Sequence, residues 1–246
     1  MCSRLFLKGG KSMIFAGIVA GGCGSRMKYA DIPKQFLEIG NEPIIIKTVK
    51  QFLKIKDIDK VYIGIKPDWH EYMCGLADKF SLDKNRLSII DGGANRNSTV
   101  MNIIDSIKGK YGLNQGDFIL THDAVRPFVS QKIISDNIAC VKKFSACGTY
   151  IPAVDTIVKS QGKIVDETLN RKILYQAQTP QSFEVSQLAK CFESLNDKQK
   201  SELTDTCSIF TACGKDIHIV LGDPTNFKIT SDNDLAIAKA LADNKV

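Results

Sequence analysis

The stretch Ile14-Phe15-Ala16-Gly17-Ile18-Val19-Ala20-Gly21-Gly22-Cys23-Gly24-Ser25-Arg26-Met27 decides how this chain is read. Its first half, Ile14–Ala20, is a near-continuous apolar run, the pattern of a strand buried on both faces of a parallel sheet. A glycine-rich turn follows at once. In an open α/β sheet, ligands bind beyond the carboxyl ends of the strands. Glycines there let the backbone approach a phosphate, and the N–H groups of a following helix start can donate to it. Arg26 adds a permanent charge and a bidentate fork. The dinucleotide fingerprint G-x-G-x-x-G is incomplete, because Met27 stands at its third glycine position. The plainer alternative is a glycine turn that holds no ligand.

Outward from this segment, apolar runs alternate with amphipathic ones. Val61–Ile65, Leu87–Ile90 and Phe118–Thr121 read as strands. Ile44–Leu53, Trp69–Phe80, Ser98–Ile107 and Ile133–Phe144 read as helices. This order predicts an α/β fold, a doubly wound, mostly parallel, Rossmann-like sheet with right-handed crossovers. After residue 148 the pattern changes. Gly148–Val158 is strand-like but interrupted at Asp155, Lys159–Gly162 reads as a turn, and Lys163–Val165 as the returning strand. These form a β-hairpin arm, about residues 153–175, inserted in the sheet; it serves either oligomerisation or as an exposed loop. Leu174–Gln178 and Ile217–Leu221 are further strands, and Asp232–Ala242 is a closing helix capped by Ser231 or Asp232. Residues 1–12 read as an extension ahead of Met13, and 13–246 as a single domain.

Composition narrows the class. The chain has 246 residues, 43% hydrophobic and 24% charged, which suits a globular domain and excludes a disordered or collagen-like chain. Mean hydropathy is −0.08, and no apolar run reaches the ~18 residues of a membrane span. The net charge of +6 suits anionic partners, but no dense basic stripe points to nucleic acid. Eight cysteines without a C-x-x-C pair read as reduced thiols of a cytoplasmic protein rather than a zinc site.

Three further loops follow predicted strands and would gather with the glycine turn on one edge of the sheet. Ile32-Pro33-Lys34-Gln35-Phe36 offers a cation eight residues past Arg26. Gly92-Gly93-Ala94-Asn95-Arg96-Asn97-Ser98-Thr99 could read a base or ribose, with Ser98 suited to cap the helix. Thr121-His122-Asp123-Ala124-Val125-Arg126-Pro127 places a carboxylate at a strand end, a natural Mg²⁺ ligand beside phosphates, unless Arg126 simply pairs with it. His122 reads as a local hydrogen-bonding residue. Arg171 and Lys228 could place a second phosphate, or be surface charge. With no Ser/His/Asp or Cys/His arrangement, the loops favour phosphoryl or nucleotidyl transfer, which depends on positioning and charge neutralisation.

Taken together, these segments resemble the polyol-phosphate cytidylyltransferases from Met13 to about Lys239. The resemblance rests on Gly24-Ser25-Arg26-Met27, Pro33-Lys34-Gln35, Gly92-Gly93 with Arg96, and His122–Pro127. It extends through Asp155-Thr156, Thr179-Pro180-Gln181, Thr204-Asp205 and Lys228-Ile229-Thr230. It implies a fold of the nucleotide-diphospho-sugar transferase type, and transfer of CMP from CTP to a polyol phosphate with release of pyrophosphate. It implies catalytic roles for Arg26, Lys34 and Lys228, and Mg²⁺ or another divalent cation on Asp123. CTP would be bound by Val19, Ala20, Gly21, Gly22, Gly92, Gly93, Ala94, Asn95, Arg96, Asn97, Ser98, Thr99 and Ala124. The polyol phosphate would meet Thr156, Arg171, Thr179 and Lys228. It also implies a homodimer through the hairpin arm. Within the family, Ile18–Gly22, Asp31–Phe36, Leu174-Tyr175-Gln176 and Thr204–Cys207 look like the branch that acts on ribitol 5-phosphate, giving CDP-ribitol for wall or capsule polymers. Ala124 departs from the serine of some members of that branch. The alternative acceptor is 2-C-methyl-D-erythritol 4-phosphate, of isoprenoid synthesis. A non-catalytic sugar-nucleotide-binding domain would lack Arg26, Lys34 or Asp123, and all three are present.

Overall fold

In the computed structural model, which describes residues 12–21 and 32–243, the chain opens with β1 (Ile14–Val19). A short hairpin, β2 (Glu38–Ile39) and β3 (Glu42–Pro43), leads into α1 (Ile44–Leu53). Three β-α units follow: β4 (Lys60–Ile65) with α2 (His70–Lys79), β5 (Leu87–Asp91) with α3 (Arg96–Tyr111), and β6 (Phe118–Asp123) with α4 (Gln131–Phe144). Then come β7 (Ala146–Pro152), the two-residue pair β8 (Val158–Lys159) and β9 (Glu167–Thr168), and β10 (Tyr175–Glu184). Helices α5 (Val185–Ser194), α6 (Asp197–Glu202) and α7 (Cys207–Ala212), strand β11 (His218–Leu221) and helix α8 (Asp232–Asp243) complete the described chain.

Seven strands make one sheet, ordered β11-β7-β10-β6-β1-β4-β5. Strands β5, β4, β1 and β6 are mutually parallel, β10 runs antiparallel between β6 and β7, and β11 is parallel to β7. The expected mostly parallel, doubly wound sheet is therefore present. From β1 the chain moves outward to β4 and β5, then returns to β6 on the other side of β1. That reversal opens a crevice at the carboxyl ends of β1 and β6, where such sheets bind ligands.

The double burial of β1 follows from period-two alternation. Ile14, Ala16 and Ile18 pack with Phe52 of α1, Met73 of α2 and Ile133 of α4. Phe15 faces the opposite layer, with Ile103 of α3 and Leu188 of α5. Two glycines let α3 lie close to the sheet. A Cβ on Gly17 would stand 3.3 Å from both Ile103 Cδ1 and Ile119 Cδ1, and one on Gly64 would overlap Thr99 Cγ2. Thr99 cannot turn aside freely, because its hydroxyl is tied to the loop before α3.

Several expected boundaries move. Helix α3 begins at Arg96, two residues before Ser98, and Asn95 caps it. Asn95 Oδ1 accepts the Ser98 N–H at 2.9 Å while Ser98 Oγ accepts the Asn95 N–H at 2.9 Å, a reciprocal box that puts Ser98 inside the first turn. The arm returns at Glu167–Thr168, not Lys163–Val165. Ser160 Oγ donates to the Ile164 carbonyl at 2.6 Å and Asp166 accepts the Gln161 N–H at 3.1 Å, which folds 160–166 into the loop tip. Strand β10 runs on to Glu184, well past Gln178. Its register shifts between Ala177 and Gln181, and this irregularity accommodates Pro180 inside a strand. Ser231 proves to be the α8 cap, its hydroxyl accepting the Asp234 N–H at 3.2 Å.

No helix among the described residues is long and apolar enough to cross a membrane. Among the described residues Cys74, Cys140, Cys147, Cys191, Cys207 and Cys213 are free thiols. The role of Gly64 is open to test. Gly64→Ala should destabilise the protein by about 1–3 kcal/mol through overpacking against Thr99, read as a lower denaturant midpoint. An unchanged midpoint would show that α3 can lift without cost.

Candidate active site

Three strand ends build the crevice. At the end of β1, the Ala20 N–H donates to the Gly64 carbonyl at 2.8 Å, and the Ala20 carbonyl accepts Gln35 Nε2 at 2.8 Å. Gln35 is buried in the single turn Lys34–Phe36. Phe36 anchors that turn against Trp69 and Tyr72, with ring centroids 5.2 and 4.8 Å away. One buried amide thus ties the turn that carries Lys34 to the start of the glycine loop. Gly22 and Arg26 lie outside the described residues.

At the end of β5, the Gly92 N–H donates to the Ile65 carbonyl at 2.6 Å, and the Gly93 N–H donates to Thr99 Oγ1 at 3.0 Å. A Cβ on Gly21 would come within 3.3 Å of the same Thr99 oxygen. Gly21, Gly93 and Thr99 therefore meet, and the first and third loops form one backbone-lined rim. Ala94 and Asn95 are exposed on it, Asn97 is buried, and Ser98 is engaged in the cap.

At the end of β6 lies Asp123. The next residue, Ala124, donates its N–H to the Val19 carbonyl at 3.1 Å and accepts Thr48 Oγ1 at 2.8 Å. Asp123 Oδ1 accepts Arg96 Nε at 2.9 Å, and Oδ2 lies 3.0 Å from Lys228 Nζ and 3.5 Å from Arg126 Nε. Burial by itself would raise the carboxyl pKa, but the charges of Arg96, Lys228 and Arg126 outweigh it and hold the group far below the usual carboxylate range. Asp123 is an anion at any working pH. Arg126 is fixed again by the Asn226 carbonyl at 2.7 Å, and Arg96 by the Thr206 hydroxyl. Lys228 has the most exposed side chain of the three, 37% against 19% for Arg96 and 10% for Arg126. It is the cation best able to turn towards a ligand.

His122, fully buried, braces this arrangement. Burial, opposed by the Arg126 carbonyl and the Asp123 charge, pushes its pKa down from 6.5 to about 3. The neutral ring donates from Nε2 to the Arg126 carbonyl at 3.1 Å, and Nδ1 accepts the Thr179 hydroxyl at 2.9 Å. Thr179 Oγ1 in turn accepts the Asp123 N–H at 3.2 Å. His122 is a local hydrogen-bonding residue, as expected. Thr179, expected at the polyol phosphate, is buried, and its hydroxyl oxygen is the acceptor that fixes the Asp123 backbone. Thr156 and Arg171 are exposed in the arm, and no hydrogen bond or ion pair among the described residues joins them to the Asp123 cluster. Arg171 donates to the Val154 carbonyl within the arm.

Three supporting residues lay beyond the site residues expected from the sequence. Gln181 Oε1 accepts the Thr206 N–H at 3.0 Å, so that strand β10 presents Thr206 to Arg96. Buried Asn226 donates to the Thr179 carbonyl at 2.8 Å. Gln181 and Thr206 stood in segments already quoted, but nothing in their spacing assigned the contact.

Chemically, the crevice offers glycine-lined backbone, an obligate anion and movable positive charge, with no nucleophile–base pair among these contacts. Such a crevice at the switch point of a mostly parallel sheet suits nucleotidyl transfer. A family model, 2-C-methyl-D-erythritol 4-phosphate cytidylyltransferase (IspD), matches residues 14–244, and the chain belongs to this family of CTP-dependent cytidylyltransferases. Similar solved structures include 4-diphosphocytidyl-2C-methyl-D-erythritol synthase from Anaerococcus prevotii, with 26% identity, 94% of this chain and 96% of that one covered, and a TM-score of 0.78. The Francisella tularensis 2-C-methyl-D-erythritol 4-phosphate cytidylyltransferase has 27% identity over 93% of this chain and 99% of its own, with a TM-score of 0.77. The Thermus thermophilus enzyme, at 24% identity over 93% and 98% of the two chains and a TM-score of 0.72, shows the shared fold.

His122 makes a pH prediction. The folded protein cannot take the proton that the unfolded chain takes below pH 6.5. Stability due to the neutral ring is complete above 6.5 and falls as pH drops towards 3, by up to ~1.4 kcal/mol per unit. His122→Gln should flatten the stability–pH slope between pH 6.5 and about 4.5, measured by urea unfolding. An unaltered slope would mean that the ring is charged in the folded state.

Proposed function

We propose that this cytidylyltransferase transfers CMP from CTP to a polyol phosphate. The observation that supports this most is Asp123, an obligate anion under three cations, beside the Gly21–Gly93 rim. The triphosphate would lie on that rim. The acceptor's phosphate oxygen attacks the α-phosphorus, the bond to the pyrophosphate oxygen breaks, and pyrophosphate leaves. The nucleophile is already an anion and needs no general base. Arg26, Lys34 and Lys228 neutralise the charge that grows on the α-phosphate, with Lys228 moving from Asp123 to the phosphate.

A divalent cation fits the donors present. Among the described residues no cluster of three His, Cys, Asp or Glu side chains could hold one, so Asp123 would share it with phosphate oxygens, as Mg²⁺ commonly binds. Bound there, it would neutralise charge on the triphosphate. The arm exposes Val154, Ile164 and Ile173 by more than two-thirds of their surface, and we assign it to a homodimer contact that brings Thr156 and Arg171 to the partner's acceptor site.

For the acceptor, the family description and the similar structures favour 2-C-methyl-D-erythritol 4-phosphate over the ribitol 5-phosphate expected from the sequence. A specific observation keeps ribitol 5-phosphate as a second reading. Of the segments that look like the ribitol branch, Thr204–Cys207 supplies Thr206 to Arg96 inside the site. Pyrophosphate release with CTP and Mg²⁺, run on each acceptor in parallel, separates the two. Turnover of one alone names the substrate, and turnover of neither removes the proposal. Lys228→Ala should lower kcat by about 10²–10³ while the protein stays folded. Unchanged kinetics would remove Lys228 from the reaction.

A further inference from the structure

A cavity of about 330 Å³ lies beside the connection from β6 to α4, and none of its lining residues belongs to the Asp123 cluster. One wall is α1. Lys47, Lys50, Gln51 and Lys54 recur at i, i+3, i+4 and i+7, so a single polar face of the helix lines the space. The other wall is Pro127–Ser130, ending at the amino terminus of the 14-residue helix α4. Ser130 Oγ accepts the Ile133 N–H at 3.2 Å and so caps the helix at the cavity wall.

The charges are unbalanced. Glu42 is the one carboxylate among the lining residues, and it is ion-paired with Lys50. Three lysines against one glutamate leave 3 − 1 = +2 facing the cavity. No ion pair among the described residues takes up Lys47 or Lys54. A helix amino terminus adds a partial positive charge of about half a unit. Two ammonium groups without a carboxylate partner match a dianion with several acceptor oxygens better than a singly charged carboxylate.

We propose that this cavity binds a phosphate group, as the free anion or as a monoester, at a site separate from the catalytic crevice. It abuts the catalytic loop. Thr48, on the same helix as the lysines, holds the Ala124 carbonyl, and Pro127 follows directly on Arg126. An anion here rests against the segment that positions Asp123 and Arg126. The site does not depend on which polyol phosphate is the acceptor.

Isothermal titration of inorganic phosphate into the whole protein tests it, using wild type, Lys47→Ala/Lys54→Ala and Lys228→Ala. Phosphate affinity at one site per chain should fall on the order of tenfold or more in the double variant and persist in Lys228→Ala. Lys47→Arg/Lys54→Arg should restore it, and the double variant should keep its basal turnover in phosphate-free buffer. Titration with CMP separates the sources: tighter binding than phosphate, lost in the double variant, indicates a nucleotide monoester, and equal binding indicates the bare anion. Undiminished phosphate binding by the double variant would overturn the proposal. So would loss of all phosphate binding in Lys228→Ala, or no binding by wild type.

Discussion

A carboxylate buried under positive charge sets the terms for the rest of the molecule. Asp123 accepts Arg96 from α3, faces Arg126 from its own loop, and meets Lys228 from the segment before α8. Each partner comes from a different part of the chain, so the pairing closes the crevice as it neutralises the charge. Removing one member of such a buried cluster leaves the others uncompensated, a cost of several kcal/mol. The supports make sense on that view. His122 and Thr179 fix the backbone of Asp123, Gln181 and Thr206 hold Arg96, and Asn226 holds Arg126 through its carbonyl. Packing at Gly17 and Gly64 then decides how near α3, and therefore Arg96, approaches the sheet.

Much of the fold could be read from residue pattern. The double-faced apolar run at Ile14–Ala20 and the β-α alternation after it state a parallel sheet, because crossover helices then cover both of its faces. The misses have local causes. Ser98 and Asn95 are equally good caps by type, and only their reciprocal bond places one inside the helix. Pro180 argues against a strand, and β10 contains it only by shifting register. In the arm, Lys163–Val165 alternates no better than Glu167–Thr168, and hydrogen bonds from Ser160 and Asp166 choose the return point.

The site was legible in part for the same reason. Glycines, Asp123 and the cations stood at predicted strand ends, where the topology gathers ligand-binding residues. Thr179 was placed in the neighbourhood by its segment, but its bonds to His122 and to the Asp123 N–H were not legible, since a hydroxyl can serve substrate or scaffold alike. Gln181 and Asn226 act through contacts spanning tens of residues, which no local pattern encodes. The acceptor is the least legible element. Of the segments that look like one branch, Ile18–Gly22 and Thr204–Cys207 meet the same crevice that serves the nucleotide, so neither stands apart as an acceptor signature.

Strand β10 carries a consequence for how such an enzyme can change. It runs antiparallel to both neighbours, with Tyr175 paired to Pro152 at the carboxyl edge of the sheet. The chain therefore leaves β7 and re-enters β10 at the same edge, with no crossover to span. Residues between them can be lengthened, shortened or replaced without repositioning a helix or altering strand order. The arm is in effect a replaceable cassette, joined at one hinge line to a sheet that cannot vary as freely. The sequence of the arm can change there while the geometry around Asp123 stays intact.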